Sequence, residues 1–318
     1  MCYSAQIWSD YRKFQRYFDA TISIREFHEL YWRRAKDPKL KIPKAMDAAF
    51  ATPTTEAERE IRAAIEEYER QSASRLEQEL FKQKKRLADA ERTLQGKPTK
   101  AAQESRRIAG DKIAWALGKL SDLRRTELTG EDARIFPGWY APVLLIEDGH
   151  WRIKPMRYQC RPAGKPAFYD SKYPGTYNAR RDNLGGFWKE QFGRTHCLAI
   201  VDAFYENVTL HGSEGRELRP GETEKNVVLE FRPDTSQPIF VACLYSRWTD
   251  GEDELLSFAA ITDEPPPEIR AAGHDRCVIP LKRQNVQAWL TPDPSRLAEL
   301  QAILDDRETP YYEHRLAA

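Results

Sequence analysis

Long apolar runs are missing from this 318-residue chain. Nowhere do the ~20 consecutive apolar residues of a membrane-spanning helix occur. The first residues also lack the basic and apolar regions of a secretory signal, so a cytoplasmic protein is expected, with no membrane partner. Neither sign of charge is in excess: Lys and Arg number 50 against 49 for Asp and Glu. Net charge therefore gives no support to a polyanionic partner, and any basic surface must be local. Cysteine is sparse. Cys2, Cys160, Cys197, Cys243 and Cys277 form no CxxC pair and no regular framework, which argues against a zinc site and against a disulfide scaffold. Reduced, mostly buried thiols are expected, and no metal or cofactor. Internal repeats and low-complexity stretches are absent as well.

What is present falls into two characters. From Ser9 to Ala35 the aromatic residues Tyr11, Phe14, Tyr17, Phe18, Phe27 and Tyr31 recur at helical steps, and two helices are expected there. After the connector "KDPKLKIP", a further helix opens at "TPTTEAERE", with Thr55 as N-cap and Glu58 completing a capping box. It continues through Ile61, Ile65, Tyr68, Leu76, Leu80, Leu87 and Leu94, and Gly96 and Pro98 break it. A second long helix runs back through Ile108, Ile113, Trp115, Leu117, Leu120 and Leu123. The pair predicts an antiparallel hairpin whose first helix extends on the order of 60 Å. After about Arg134 the pattern changes to short β-branched and aromatic runs, "APVLLI", "HWRI", "HCLAIVDAFYE", "NVVLEF" and "PIFVACLYS", which read as strands of a largely antiparallel sheet.

A thiol at position 2 raises a chemical question. Enzymes that trim an initiator methionine before a small side chain would leave Cys2 carrying a free α-amine beside its thiol, a 1,2-aminothiol that no internal cysteine can match. Taken alone, a cysteine at this position is more often incidental. Of the six histidines, His274 sits in "AAGHDRCVIPL", where a turn histidine is more often a structural hydrogen-bonder than a catalyst. Glu206 ends the apolar run "VDAFYENV", where a carboxylate is costly to bury and its pKa can rise toward neutrality. Asn178 and Arg180 follow a Pro-Gly turn in "TYNARRDN" and offer an amide and a guanidinium for orienting a substrate and holding a phosphate.

In this order, "MCYSAQ", "IFPGWYAPVLLI", "PMRYQCRP", "TYNARRDN", "HCLAIVDAFYENV", "FAAITDEP" and "GHDRCVIP" resemble the SOS-response-associated peptidase family, the SRAP proteins. The resemblance implies an α+β fold with a largely antiparallel, barrel-like core, flanking helices and the helical hairpin as an insertion. Residues 1–51 and 130–318 would then form the family domain around an inserted 52–129. It implies an enzyme that removes its own Met1 and crosslinks Cys2 covalently to abasic sites in single-stranded DNA, with strand incision as a further activity. Carried over, Cys2 is the nucleophile, Asn178 positions substrate, Glu206 and His274 are the acid/base pair, and Arg180, Arg181 and Thr262 contact DNA or line the pocket. The chemistry is consistent with the set. An abasic sugar opens to an aldehyde, an α-amine of pKa ~7.7–8.0 forms a Schiff base, and only an adjacent thiol closes a thiazolidine. Tyr3 and Ser4 stand where the family usually has Gly-Arg, Tyr158 and Gln159 replace Trp-Gly, Asp182 replaces glutamate and Ala203 replaces glycine. A peptidase or amidohydrolase using the same nucleophile, and a DNA-marking protein whose hairpin binds a partner or a second copy, are the competing readings. Stacking of bases is expected from one or two of Trp139, Tyr140, Phe187 and Trp188.

Overall fold

The computed structural model describes every residue except Met1, Cys2, Lys97, Ser236, Glu252 and Ala318, so the expected nucleophile lies outside the described residues. The chain divides into two compact units: residues 1–27, 41–52 and 129–318 form one, and residues 28–40 and 53–128 the other. Among the described residues no helix is long and apolar enough to cross a membrane.

In the first unit, the strands found among the described residues are β1 (Ser4–Ile7), β2 (Thr21–Ile22), β3 (Arg134–Ile135), β4 (Tyr140–Glu147), β5 (His150–Tyr158), β6 (Asn178–Arg180), β7 (His196–Thr209), β8 (Asn226–Pro233), β9 (Ile239–Asp250), β10 (Asp253–Asp263), β11 (Cys277–Val278) and β12 (Tyr312–Leu316). Five of them close on themselves. β4 pairs antiparallel with β5, β5 runs parallel to β10, β10 and β9 are antiparallel, β9 and β7 likewise, and β7 returns to β4 with Leu198 opposite Leu144. Closure removes the exposed edges that such apolar strands would otherwise present. The α+β class with a largely antiparallel barrel is therefore as expected. β7 and β10 are buried on both faces, because one face fills the barrel and the other is covered from outside. Helix α1 (Tyr11–Phe18) packs on β5 and β9: its Phe18 ring stacks on Trp151 and meets Phe240 edge-on.

β7 spans 14 residues, more than the ring uses. Its first half pairs with β9, and its second half carries β8 along one edge and β1 along the other. In the β1 ladder Gln6 faces Ala203, Ala5 faces Phe204 and Ser4 faces Tyr205. β1 thus runs antiparallel to β7 with its first residue, Ser4, nearest to Glu206.

The second unit is helical. Helix α2 (Ile24–Lys36) contributes its residues from His28 on, whereas the short α3 (Lys44–Ala48) belongs to the first unit. Helix α4 (Glu56–Gly96) begins at the expected capping box: the Glu58 amide donates to Thr55 Oγ1 at 3.2 Å, and Glu58 Oε2 accepts the Thr55 amide at 3.4 Å. Helix α5 (Lys100–Arg124) is capped by Thr99, whose hydroxyl accepts the Ala102 amide at 3.1 Å. The seam on α5 differs from the expected one. Ala102, Ala109, Ala116 and Leu120 are its buried residues, while Trp115 and Leu117 are 54% and 48% exposed. Alanines seven apart let two helix backbones approach closely, which pushes the bulky side chains to the flanks. On α4 the seam is mixed, with Ile61, Ile65 and Ala90 buried beside Gln83, whose amide donates to Glu79 at 2.8 Å. Arg34 lies over the rings of Tyr31 and Tyr68, at 4.9 and 4.3 Å, joining α2 to α4 within this unit.

Candidate active site

Glu206 sits on the outer half of β7 and is fully buried. Its Oε2 lies 3.2 Å from His274 Nε2. The same oxygen accepts the backbone N–H of Tyr3 at 3.3 Å, while that amide also points at the Tyr205 carbonyl at 3.2 Å. The ladder between β1 and β7 thus delivers the residue after Cys2 to the carboxylate. Sequence spacing alone could not bring Glu206 and His274 together. The register of β7 and the turn after the helical segment Pro267–Ala271 do so.

That turn depends on Gly273, whose φ is +91° and whose added Cβ would lie 3.4 Å from the Gly212 backbone carbon. A side chain there would meet both the strain of left-handed backbone and a wall. His274 Nδ1 is 2.9 Å from the Arg276 carbonyl. In the neutral imidazole Nδ1–H donates to that oxygen, and Nε2 then faces Glu206 with a lone pair. At 3.2 Å, Nε2 and Oε2 are within hydrogen-bond reach of each other. Burial pushes the His274 pKa down, favouring the neutral ring. Geometry thus sets a buried carboxylate against a ring nitrogen within hydrogen-bond reach.

Asn178 and Thr262 meet beside each other because β6 lies parallel against β10, with Asn178 opposite Ala260 and Arg180 opposite Thr262. Thr262 Oγ1 donates to Asn178 Oδ1 at 2.6 Å, and both side chains are buried. With its oxygen so occupied, the amide turns its N–H donors elsewhere. Arg180 is exposed and forks onto Asp182 at 2.6 and 3.0 Å. Arg181 is differently placed: its guanidinium is taken up by Asp263 at 3.0 Å, Asp305 at 2.6 Å and Gln301 at 3.3 Å. Burial alone would raise the Asp263 pKa, but Arg307 and Arg181 together hold it low. Arg181 is thus an internal tie between the chain after β6, β10 and the last helix.

The four described cysteines, Cys160, Cys197, Cys243 and Cys277, are free and buried. Burial pushes the Cys160 thiol up to about 12 and raises Cys197 and Cys277, the latter also through Glu206. These three thiols are therefore protonated and poor nucleophiles at neutral pH. Of the stacking candidates, Tyr140 and Trp188 are buried, Trp139 is half-buried and Phe187 is 37% exposed. An aromatic cluster that sequence reasoning passed over adjoins Phe187. Tyr169 stacks toward it at 6.4 Å and touches Tyr173 at 4.2 Å. Lys165 and Lys172 lie over the Tyr169 and Tyr173 rings. The signal was there in the interleaved rings and lysines of "KPAFYDSKY".

A closed five-stranded barrel, with a buried carboxylate–imidazole pair beside the start of β1, defines a β-barrel protein. The chain belongs to the SRAP family, SOS response associated peptidase, whose model matches residues 95–316. The match takes in Asn178, Glu206, Thr262 and His274, and it begins inside the hairpin. No curated protein matches the chain. Among solved structures it is similar to a protein of Bordetella bronchiseptica (18% identity, TM-score 0.47, covering 61% of this chain and 90% of that one). A Bacteroides thetaiotaomicron protein (15%, 0.45, covering 58% and 77%) and a phage-related protein of Bordetella bronchiseptica (20%, 0.43, covering 58% and 80%) are further examples.

Proposed function

We propose that this SRAP protein captures abasic sites in single-stranded DNA through Cys2, after Met1 has been removed. The observation that carries the reading is the 3.2 Å approach of Glu206 Oε2 to His274 Nε2, on a carboxylate that also holds the amide of Tyr3, the next residue along the chain from Cys2. The Cys2 amine adds to the aldehyde carbon of the ring-opened sugar. Glu206 and His274 supply the proton with which the carbinolamine oxygen leaves as water, giving the Schiff base. The thiol sulfur then adds to the same carbon, its proton passes to the freed base, and a five-membered thiazolidine closes. Nothing is oxidised or reduced. Asn178 orients the sugar, Arg180 takes a backbone phosphate, and the Tyr169, Tyr173 and Phe187 rings offer faces on which flanking bases stack.

Intact mass of the protein, before and after incubation with a single-stranded oligonucleotide containing one abasic site, tests this directly. The expected result is a species lacking Met1 and then a covalent adduct short of one water. Cys2→Ala is expected to form no stable adduct, and Cys2→Ser only a Schiff base trappable by borohydride. Adduct formation undiminished in Cys2→Ala would overturn the mechanism. The family description also names a peptidase, and multiple turnovers on a peptide without a lasting adduct would favour that reading. We further propose that residues 52–129 are an insertion in the family domain, available to a protein partner or a second copy.

A further inference from the structure

We propose that Arg134 is a positioning residue that clamps the first strand onto β7 and so sets where the N-terminal residue stands relative to Glu206. The inference rests on the functional reading above for its consequence, but its geometry is independent. Arg134 is buried on β3, the short strand on the far side of β1 from β7. Its Nε donates to Ser4 Oγ at 2.9 Å, and its Nη1 pairs with Glu131 at 3.2 Å. Its guanidinium plane lies 3.8 Å from the Tyr205 ring centroid and 5.0 Å from that of Phe136. Phe136 in turn meets the Tyr3 ring edge-on at 5.6 Å.

One side chain therefore grips Ser4 on β1 and Tyr205 on β7, the pair that face each other in the last described rung before Glu206. A buried guanidinium costs a great deal unless its donors and its faces are used. Here the ion pair, the hydroxyl and the two rings use both. The grip matters because the strand it holds is only four residues long, too short for backbone hydrogen bonds alone to keep its free end from fraying. Ser4 is the residue that lets this happen. Its small hydroxyl accepts from Arg134, whereas a long side chain at that buried position would displace the guanidinium.

The test combines two readouts on the full-length protein, for Ser4→Ala, Arg134→Lys and the double variant. Deuterium exchange over residues 3–7 reports the clamp without reference to any activity. Crosslinking to an abasic oligonucleotide at saturating concentration, set beside the dissociation constant for the same oligonucleotide with a tetrahydrofuran in place of the abasic sugar, separates positioning from binding. Each single variant is expected to exchange faster at residues 3–7 and to crosslink slower by on the order of tenfold, since a 1 Å misplacement of reacting groups can cost up to ~10². The dissociation constant should stay within about twofold. The double variant should be no slower than the worse single one, because both changes open the same clamp. Unchanged exchange in a folded Arg134→Lys overturns the proposal, as does a loss confined to the dissociation constant. A wild-type chain that does not crosslink sinks the functional reading instead, and the clamp then stands or falls on exchange alone.

Discussion

Glu206 and His274 are 3.2 Å apart, and the division of labour between them follows from what surrounds each. The imidazole is anchored through Nδ1 to the Arg276 carbonyl, so only Nε2 can exchange a proton with the carboxylate. Glu206→Gln and His274→Ala are each expected to slow crosslinking at saturating DNA by ~10²–10⁴, the usual worth of a positioned acid or base, while binding of the tetrahydrofuran analogue changes little. The pH profile adds a check. Burial lowers the His274 pKa, so the ring stays neutral below ~6.5, and its limb must lie on the acid side of that value. The wild-type rate should instead climb through ~7.7–8.0 as the α-amine loses its proton. The same shift sets a sign for stability. The unfolded chain binds the His274 proton more tightly than the folded one, so its contribution is lost as pH falls below ~6.5 through the lowered folded value. A rate limb centred near 6.5 that persists in His274→Ala would remove the histidine from the mechanism. At this scale the residue types were legible in the sequence, but their proximity was not. A glutamate at the end of an apolar run and a histidine in a Gly-Asp turn carry no sign of each other. Their pairing was reached only through the order of motifs, and the clamp by Arg134 was not reached at all, because a lone Arg in a two-residue strand leaves no periodic trace.

Among the elements, those with a sustained period were readable. The runs in β4, β7, β8 and β9 are long and rich in β-branched and aromatic residues, and the helices α1, α2, α4 and α5 fall where their periodicity, caps and breakers place them. β1 and β3 are too short for any alternation to show. The seam of the hairpin was misread for a physical reason: a count of large apolar residues favours Trp115 and Leu117, whereas close packing of two helices selects Ala102, Ala109 and Ala116. This bears on how the hairpin can be altered. Since Ile61 and Ile65 are buried and Tyr68 packs on Arg34 in the same unit, removing all of α4 would strip residues 28–40 of their cover. Cutting back the tip is the milder change. Replacing residues 84–107 by a short Gly-Asn-Gly turn is expected to lower the helical circular dichroism in proportion to the residues removed and to leave cooperative unfolding and crosslinking rate intact. Loss of the cooperative transition would show that the alanine seam near the tip is needed to hold the unit together.

At the scale of the whole molecule the formal net charge is only +1, and the basic residues near the candidate site bring their own counter-ions. Arg180 is held by Asp182 at 2.6 Å, Arg276 by Asp275 at 3.2 Å and Arg270 by Glu264 at 2.9 Å. A phosphate approaching Arg180 must compete with a carboxylate already in its fork, which weakens the attraction without abolishing it. Non-covalent affinity for DNA should then be modest. On the proposed mechanism this is tolerable, because a thiazolidine, not the encounter, would set how long the strand is kept. Binding of the tetrahydrofuran oligonucleotide should fall with salt at a slope between about −0.7 and −2, corresponding to one to three phosphates at ~0.7 each for single strands. Arg180→Ala should reduce that slope by ~0.7 and weaken binding, and Asp182→Asn, which releases the guanidinium, should tighten it. The final yield of covalent adduct should be the same at low and high salt once enough time is allowed, with only the approach to it slowed. A slope steeper than about −4, or an affinity indifferent to Asp182→Asn, would mean that the strand follows a basic path elsewhere on the barrel and that Arg180 is not its phosphate contact.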